Sequence, residues 1–175
     1  MANANPRFLA NIQDEPTNIL QPIAGYEHEP LLSLEDACQP LYGLIENLAQ
    51  FIWISKQNCR NPDDGLTQDE SASIHLYTME WTDSQQSLYA KLNRALRGVN
   101  RQELKPWFRY LKLFLTGLFK LPAVEGVVWR GVRGDLSAQY STIEQQAWWA
   151  LSSCTLSLKI LESPLYLGKT GVLTL

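Results

Sequence analysis

Two polar clusters follow directly after short apolar runs in the second half of the chain. Arg130 and Gly131 come after Val127–Trp129, and Ser152–Thr155 come after Trp148–Leu151. β-branched and aromatic residues fit a pleated, buried surface, so both runs predict strands. A guanidinium that closes a buried strand needs hydrogen-bond partners, and a phosphate supplies them through two parallel bonds. The pattern therefore indicates an anionic ligand at Arg130.

A third cluster lies nearer the C-terminus, where Tyr166 and Lys169 frame a short loop. An aromatic ring can stack on a flat ligand ring, and a lysine can share the charge of a pyrophosphate with Arg130. Gly131 leaves its backbone open to a ligand amide, and Ser153 can hold Arg130 or a ribose hydroxyl. These residues indicate a dinucleotide site, although the sequence contains neither a GxGxxG turn nor a P-loop.

Each of these residues also has a purely structural interpretation. Arg130 can pair with a carboxylate such as Asp135, and Lys169 can be solvated. Ser152 and Ser153 can close a strand end by bonding to a neighbouring strand. We favour a ligand at Arg130 because a glycine and a hydroxyl cluster accompany it.

The sequence allows more than one interpretation for several other aromatic side chains and for one thiol. Trp148 and Trp149 point to opposite faces of a strand, so one belongs to the core and the other to a pocket wall. Tyr77 follows a helical pattern that fits a core and a cleft about equally. Cys154 has no histidine placed to activate its thiol, so an inert cysteine is expected.

The composition of the 175-residue chain predicts a soluble domain with a core of its own. A net charge of -3 argues against a nucleic-acid surface. Three cysteines, without metal-ligand spacing, favour reduced thiols in the cytoplasm and predict no metal site. The N-terminus lacks the apolar core of a secretory signal, and no apolar run has the length of a membrane span.

The pattern divides the chain into an extended arm at 1–30 and a single domain at 31–175. Capping patterns and apolar stripes predict helices through 31–122, and strand-forming runs predict a partial β core at 123–175. The predicted helix starts are Ser33, Thr67, Asp83 or Ser84, and Asn100. The predicted later elements are strands at 124–130 and 146–153, a helix near 156–163 and a strand from Val172.

Four short motifs, in this order, resemble those of the mono-ADP-ribosyltransferases of the Arg-Ser-Glu class, the arginine-specific toxin and ecto-enzyme type. They are SIHLYT at 73–78, WRG at 129–131, LSSCT at 151–155 and YLGK at 166–169. The resemblance covers the chain from Leu66 to its end. Cys154, Thr155 and Lys169 stand where many members carry Thr, Ser and Arg.

The resemblance implies an α+β fold, with a helical N-terminal half followed by strands of a split ADP-ribosyltransferase-type β core that is incomplete at the C-terminus. It implies that NAD is the substrate, and that ADP-ribose passes to a protein side chain, with arginine as the acceptor. Arg130 and Ser153 take the catalytic positions. The implied NAD-binding residues are Arg130, Gly131, Ser153, Tyr166, Lys169, Tyr77 and Trp149.

The family's catalytic Glu-x-Glu motif, which follows further strands, has no match after Arg130 in this sequence. The glutamates after Arg130 are Glu144 and Glu162, and neither lies in such a motif. The resemblance therefore implies that a companion chain, or a segment outside these residues, supplies the glutamate. The alternatives are a non-catalytic relic that binds NAD or acts as a scaffold, and a glycohydrolase that releases nicotinamide without labelling protein.

Overall fold

The computed structural model describes residues 10–11, 20–81, 83, 86–133, 149–162 and 172–174. Contacts divide the chain into two compact units. One is Gln21–Ala123, and the other combines Met1–Leu20 with Val124–Leu175. The predicted single domain over 31–175 stays a prediction.

The unit Gln21–Ala123 is built from helices. Its α-helices are α1 (Leu34–Cys38), α2 (Leu48–Asn58), α3 (Gln68–Thr78), α4 (Leu88–Arg97) and α5 (Phe108–Leu118). Short 3-10 helices at Tyr26–His28, Gln39–Leu41 and Arg101–Trp107 connect them. Pro106 lies in the last of these, so the α-helical hydrogen-bond pattern of α5 begins only beyond it.

Polar caps determine where several of these helices begin. Thr67 and Glu70 form the predicted capping box, in which each side chain accepts a hydrogen bond from the other residue's backbone N–H. Ser33 caps α1 through the backbone N–H of Asp36, also as predicted. The predicted start of α4 at Asp83 or Ser84 is wrong, because Ser87 accepts from the N–H of Ala90 and the helix begins at Leu88.

The core of the helical unit lies where α3 packs against α2 and α5. Each of the five α-helices contributes at least one fully buried leucine. Tyr110 is also fully buried, and its hydroxyl donates to the backbone carbonyl of Ser73 at 2.9 Å. A Cβ added at Gly117 of α5 would lie 3.0 Å from the Cβ of Glu70. The glycine therefore allows the close approach of these two helices.

Charged side chains also join the helices at their ends. Lys56 of α2 contacts Glu35 of α1 at 2.9 Å and Asp69 of α3 at 3.0 Å, and Asp69 also accepts from the backbone N–H of Leu34. Burial alone would lower the pKa of Lys56, but the bonds to Glu35 and Asp69 raise it above its ordinary value. One lysine thus links three helices.

In the second unit the structure describes three short strands and one helix. The strands are β1 (Ala10–Asn11), β2 (Arg130–Arg133) and β3 (Val172–Thr174), and the helix is α6 (Leu158–Glu162). β2 is the central strand, parallel to β1 and antiparallel to β3. The registers pair Ala10 with Val132 and Gly131 with Leu173. The predicted helix near 156–163 and the predicted strand from Val172 are confirmed.

The expected α+β fold with a split ADP-ribosyltransferase-type β core is wrong. The described part of the chain is mainly helical, and its strands have only two, four and three residues. Val127 and Val128, predicted to be inside a strand, are 66% and 48% exposed and lie outside β2. β-branched residues form strands only where a neighbouring strand and a covered face are available, and these valines lack the covered face.

The predicted strand ends also differ from the observed ones. Arg130 was expected to close a strand before a turn at Gly131, but Arg130 opens β2, which continues to Arg133. The predicted strand at 146–153 is not formed over 149–153, and pairing in this region occurs at Thr155 instead. Both boundaries are determined by backbone pairing between segments. The periodicity of the sequence carries no information about that pairing.

Candidate functional site

One backbone bridge brings the two polar clusters of the sequence together. Trp129 pairs antiparallel with Thr155. The N–H of Trp129 donates to the carbonyl of Thr155 at 2.7 Å, and the N–H of Thr155 donates to the carbonyl of Trp129 at 2.9 Å. The Arg-Gly pair and the Ser-Ser-Cys-Thr cluster therefore lie on adjacent segments, although twenty residues separate them in sequence.

Arg130 lies at the centre of this arrangement. Only 9% of the residue is exposed, and its Nη1 donates to the Oγ of Ser152 at 2.5 Å. The bond orients a planar guanidinium that is nearly enclosed by protein.

The residues of the hydroxyl cluster have different hydrogen-bond partners. Ser152 accepts the bond from Arg130, and its backbone carbonyl lies 3.8 Å from the Sγ of Cys154. Thr155 accepts from the backbone N–H of Ser157 through its Oγ1 at 3.1 Å, which turns the chain toward α6. Ser153 is partly buried beside Ser152. The expected hydroxyl partner of Arg130 is thus present, but it is Ser152.

Sequence alternation contains the signal that distinguishes the two serines. In an extended chain successive side chains point to opposite sides, so Ser152 and Cys154 share one side and Ser153 takes the other. If Trp129 pairs with Thr155, Arg130 lies opposite Cys154 and diagonal to Ser152. The bridge itself was not predicted, and without it the alternation could not be assigned to a partner.

The structure describes some of the other predicted site residues and not others. Gly131 belongs to β2 and pairs with Leu173 of β3, and Trp149 is partly buried. Tyr166 and Lys169 lie outside the described residues, as do Asp135 and Glu144. Arg130, Gly131 and Ser153 are therefore brought into one region, while the structure gives no position for the predicted aromatic and cation loop.

Tyr77 belongs to the helical unit, where it is 8% exposed on α3. Its ring contacts the rings of Tyr89 and Phe114, with centroids 5.3 and 5.1 Å away. Its hydroxyl accepts a hydrogen bond from the Nδ2 of Asn93 at 3.1 Å. These contacts satisfy the polar tip and pack the ring, as expected of a core tyrosine.

The geometry at Arg130 suits an anion more than a metal. A guanidinium donates only, and hydroxyls can donate or accept, so the pair offers several hydrogen bonds to phosphate oxygens. Among the residues that the structure describes, no three or more His, Cys, Asp or Glu side chains are grouped as metal ligands would be. The arrangement has the chemistry of an oxyanion site with hydroxyl neighbours.

Two further findings concern membrane spans and the comparison with known proteins. Within the described ranges, no helix combines the length and apolarity needed to cross a membrane. Comparison with protein-family models, curated proteins and solved structures found no match to this chain.

Proposed function

We propose that the segment carrying Arg130 and Ser153 binds NAD and serves a mono-ADP-ribosyltransferase that acts on protein arginine. The observation that carries this proposal is the bridge between Trp129 and Thr155, which sets Arg130 beside the hydroxyl cluster. That pairing is what the resemblance of WRG and LSSCT to the Arg-Ser-Glu class requires locally. The α+β architecture of that class is not part of the proposal.

Each residue has a defined task in this proposal. The guanidinium of Arg130 holds phosphate oxygens of NAD, because its planar fork matches them with two parallel bonds. Ser152 fixes the orientation of that fork through the observed hydrogen bond. Ser153, on the other side of the same segment, holds a ribose hydroxyl. Gly131 has no side chain, so the nicotinamide amide can approach β2 closely at this residue.

The reaction itself needs one more group. The bond between nicotinamide and ribose breaks, nicotinamide leaves with the bonding electrons, and an acceptor nitrogen forms the new bond to the anomeric carbon and releases its proton. The intermediate cationic character at that carbon calls for a nearby carboxylate. Arg130 and the serines bind and orient NAD, and the carboxylate comes from a Glu-x-Glu segment that the residues after Arg130 in this sequence do not contain.

A second candidate function has its own observation. The hydrogen bond from Arg130 to Ser152 gives a nearly buried cation a partner within the chain, as it would in a scaffold that binds no NAD. In that case the bond serves only to join two segments. The two candidates predict different responses to ligand, although both predict that Arg130 is structurally important.

Calorimetric titration of the full chain separates them. We expect NAD to bind, and we expect adenosine, which lacks phosphates, to bind at least about tenfold more weakly because Arg130 has no charge to meet. Labelled NAD with an arginine-rich acceptor protein then tests transfer, and free nicotinamide without labelled acceptor indicates hydrolysis. Equal affinity for NAD and adenosine, or no binding of NAD, would remove the proposal and leave the scaffold.

A further inference from the structure

The residues that follow the last helix of the helical unit form an exposed stretch. Every residue from Pro122 to Val128 is exposed, and the stretch contains neither helix nor strand. Val124 is 72% exposed and Val127 is 66% exposed, values unusual for valine in a folded domain. The boundary between the two units, at Ala123 and Val124, lies inside this stretch.

The chain is held firmly just before the stretch begins. After α5, the backbone N–H of Phe119 donates to the carbonyl of Leu115, and the N–H of Leu121 donates to that of Leu118. The ammonium of Lys120 contacts the buried carboxylate of Glu70 at 2.7 Å. Hydrogen bonding and an ion pair therefore keep the chain on the helical unit as far as Leu121.

The chain is held again directly after the stretch. Trp129 exchanges two backbone hydrogen bonds with Thr155, and β2 starts at the next residue. The exposed residues thus connect two fixed points. An extended, exposed segment between ordered elements is where endopeptidases gain access to a backbone.

The first residues of the helical unit are hydrogen-bonded to side chains of the same unit. Arg101 donates from Nε to the carbonyl of Gln21 and from Nη1 to the carbonyl of Leu96. Lys112 donates to the carbonyl of Glu27, so the first residues of the unit are tied to α5. Its leucine-rich core is built from helices within the same range. A unit with its own core and closed ends can fold as a domain.

We propose that Pro122–Val128 is a protease-accessible linker, and that cutting it leaves Gln21–Ala123 folded as an independent helical domain. The Glu125–Gly126 bond suits enzymes that cut after glutamate, and Val124 and Val127 suit those that cut after small apolar residues. Hydrolysis adds one water across the peptide bond, leaving a carboxylate on Glu125 and an amine on Gly126. The inference does not depend on NAD binding.

Limited digestion of the full chain with a glutamyl endopeptidase tests this inference. We expect a fragment that ends at Glu125 to accumulate before any cut in 21–121, although that range contains the exposed glutamates Glu27, Glu35, Glu46, Glu80 and Glu103. Far-ultraviolet circular dichroism of the digest should retain the helical signal of the helical unit and its cooperative melting. An elastase-type enzyme should cut in the same stretch.

Two variants make the result specific. Glu125→Gln should slow the appearance of this fragment at least about tenfold, because the protease pocket loses the charge that it recognises. Glu46→Gln, at an exposed turn, should leave that rate unchanged. Earlier cutting after any glutamate in 21–121 would overturn the proposal, as would loss of helical signal once the linker is cut.

Discussion

At the scale of single residues, Arg130 and Ser152 define the candidate site. The sequence predicted that Arg130 would meet a hydroxyl, because polar clusters follow two separate apolar runs. It named Ser153 for this contact, but the observed partner is Ser152, since the choice of serine depends on the pairing of Trp129 with Thr155. The contact between Ser153 and NAD stays a prediction. The two serines are neighbours with different surroundings, so they provide a matched pair of variants.

Replacing each serine in turn should separate structure from binding. Ser152→Ala removes the hydroxyl that accepts from the buried guanidinium, so we expect a loss of about 1–3 kcal/mol in the free energy of unfolding. Ser153→Ala should change that free energy by less than about 0.5 kcal/mol and weaken NAD binding. Urea unfolding and NAD titration measure the two effects. A larger stability loss in Ser153→Ala than in Ser152→Ala would contradict this assignment.

At the scale of elements, caps and close contacts could be predicted to different extents. The capping box at Thr67 was recognisable, because the hydrogen bonds of a cap form within one helical turn. The close approach of α3 and α5 at Gly117 was not, because it depends on residues far apart in sequence. The strand predicted at 124–130 failed for the same reason. Its valines favour strands, but tertiary contacts left them exposed.

Gly117→Ala tests the contact between α3 and α5. Alanine in a helix is favoured over glycine by about 1 kcal/mol, but the new Cβ would meet the Cβ of Glu70 at 3.0 Å and its carbonyl oxygen at 3.3 Å. Glu70 is fixed by its capping box and by Lys120, so it cannot yield. We expect a net destabilisation of about 1–2 kcal/mol in urea unfolding.

Gly43→Ala is the matched control for this variant, because an added Cβ there meets nothing within 4 Å. We expect its free energy of unfolding to stay within about 0.5 kcal/mol of the original. A stabilising Gly117→Ala would mean that the two helices are free to separate slightly at this point.

Glu70 should make part of the stability of the helical unit depend on pH. Burial alone would raise its pKa, but the hydrogen bond and charge of Lys120, with the N–H of Thr67, lower the pKa below its ordinary value of 4.5. A lowered pKa in the folded state contributes stability that is complete above the unfolded pKa. That stability is lost as pH falls through the folded value.

The variant Glu70→Gln measures this contribution. At pH 7 we expect it to lower the free energy of unfolding by about 2 kcal/mol, because the charge-assisted bond to Lys120 is lost. The difference from the original chain should shrink once the pH falls below 4.5. Urea unfolding at pH 7 and pH 3 tests this, with exposed Glu46→Gln as control. A difference that is equal at both pH values would contradict it.

At the scale of the whole molecule, composition and patterning predicted a helical stretch in the first two thirds of the chain but gave the wrong fold class. Helical stripes are local and repeat every turn, so they can be recognised without knowledge of partners. Sheets depend on pairing between distant segments, such as β1 with β2. No local pattern near Ala10 indicated this pairing. The resemblance to a known family supplied an architecture that the described part of the chain does not have.

The three thiols differ in exposure between the two units, so their reaction rates can be measured separately for each unit. Cys38 is fully buried in α1, and burial, with the charge of Glu35, raises the pKa of its thiol well above the usual range. Cys59 is also buried, whereas Cys154 is partly exposed. We expect Cys154 to react first with a thiol reagent, and Cys38 at least about 100-fold more slowly, because the helical unit has to open.

Mass spectrometry of the labelled chain identifies the order of reaction. In Cys154→Ser the fast phase should disappear while the slow phase keeps its rate. Labelling of Cys38 as fast as that of Cys154 would show that the helical core is not closed, and would contradict the packing of α1 described above.

The most direct test of the proposed role of Arg130 is the affinity of the full chain for NAD in Arg130→Gln. The variant keeps a polar side chain but loses the charged fork, so we expect NAD to bind about 10- to 100-fold more weakly. The control is Arg109→Gln, which changes a half-exposed arginine paired with Glu29 in the helical unit. Circular dichroism establishes that both variants are folded at the titration temperature. NAD affinity that is the same in Arg130→Gln, Arg109→Gln and the original chain would contradict a role for Arg130 in holding phosphate.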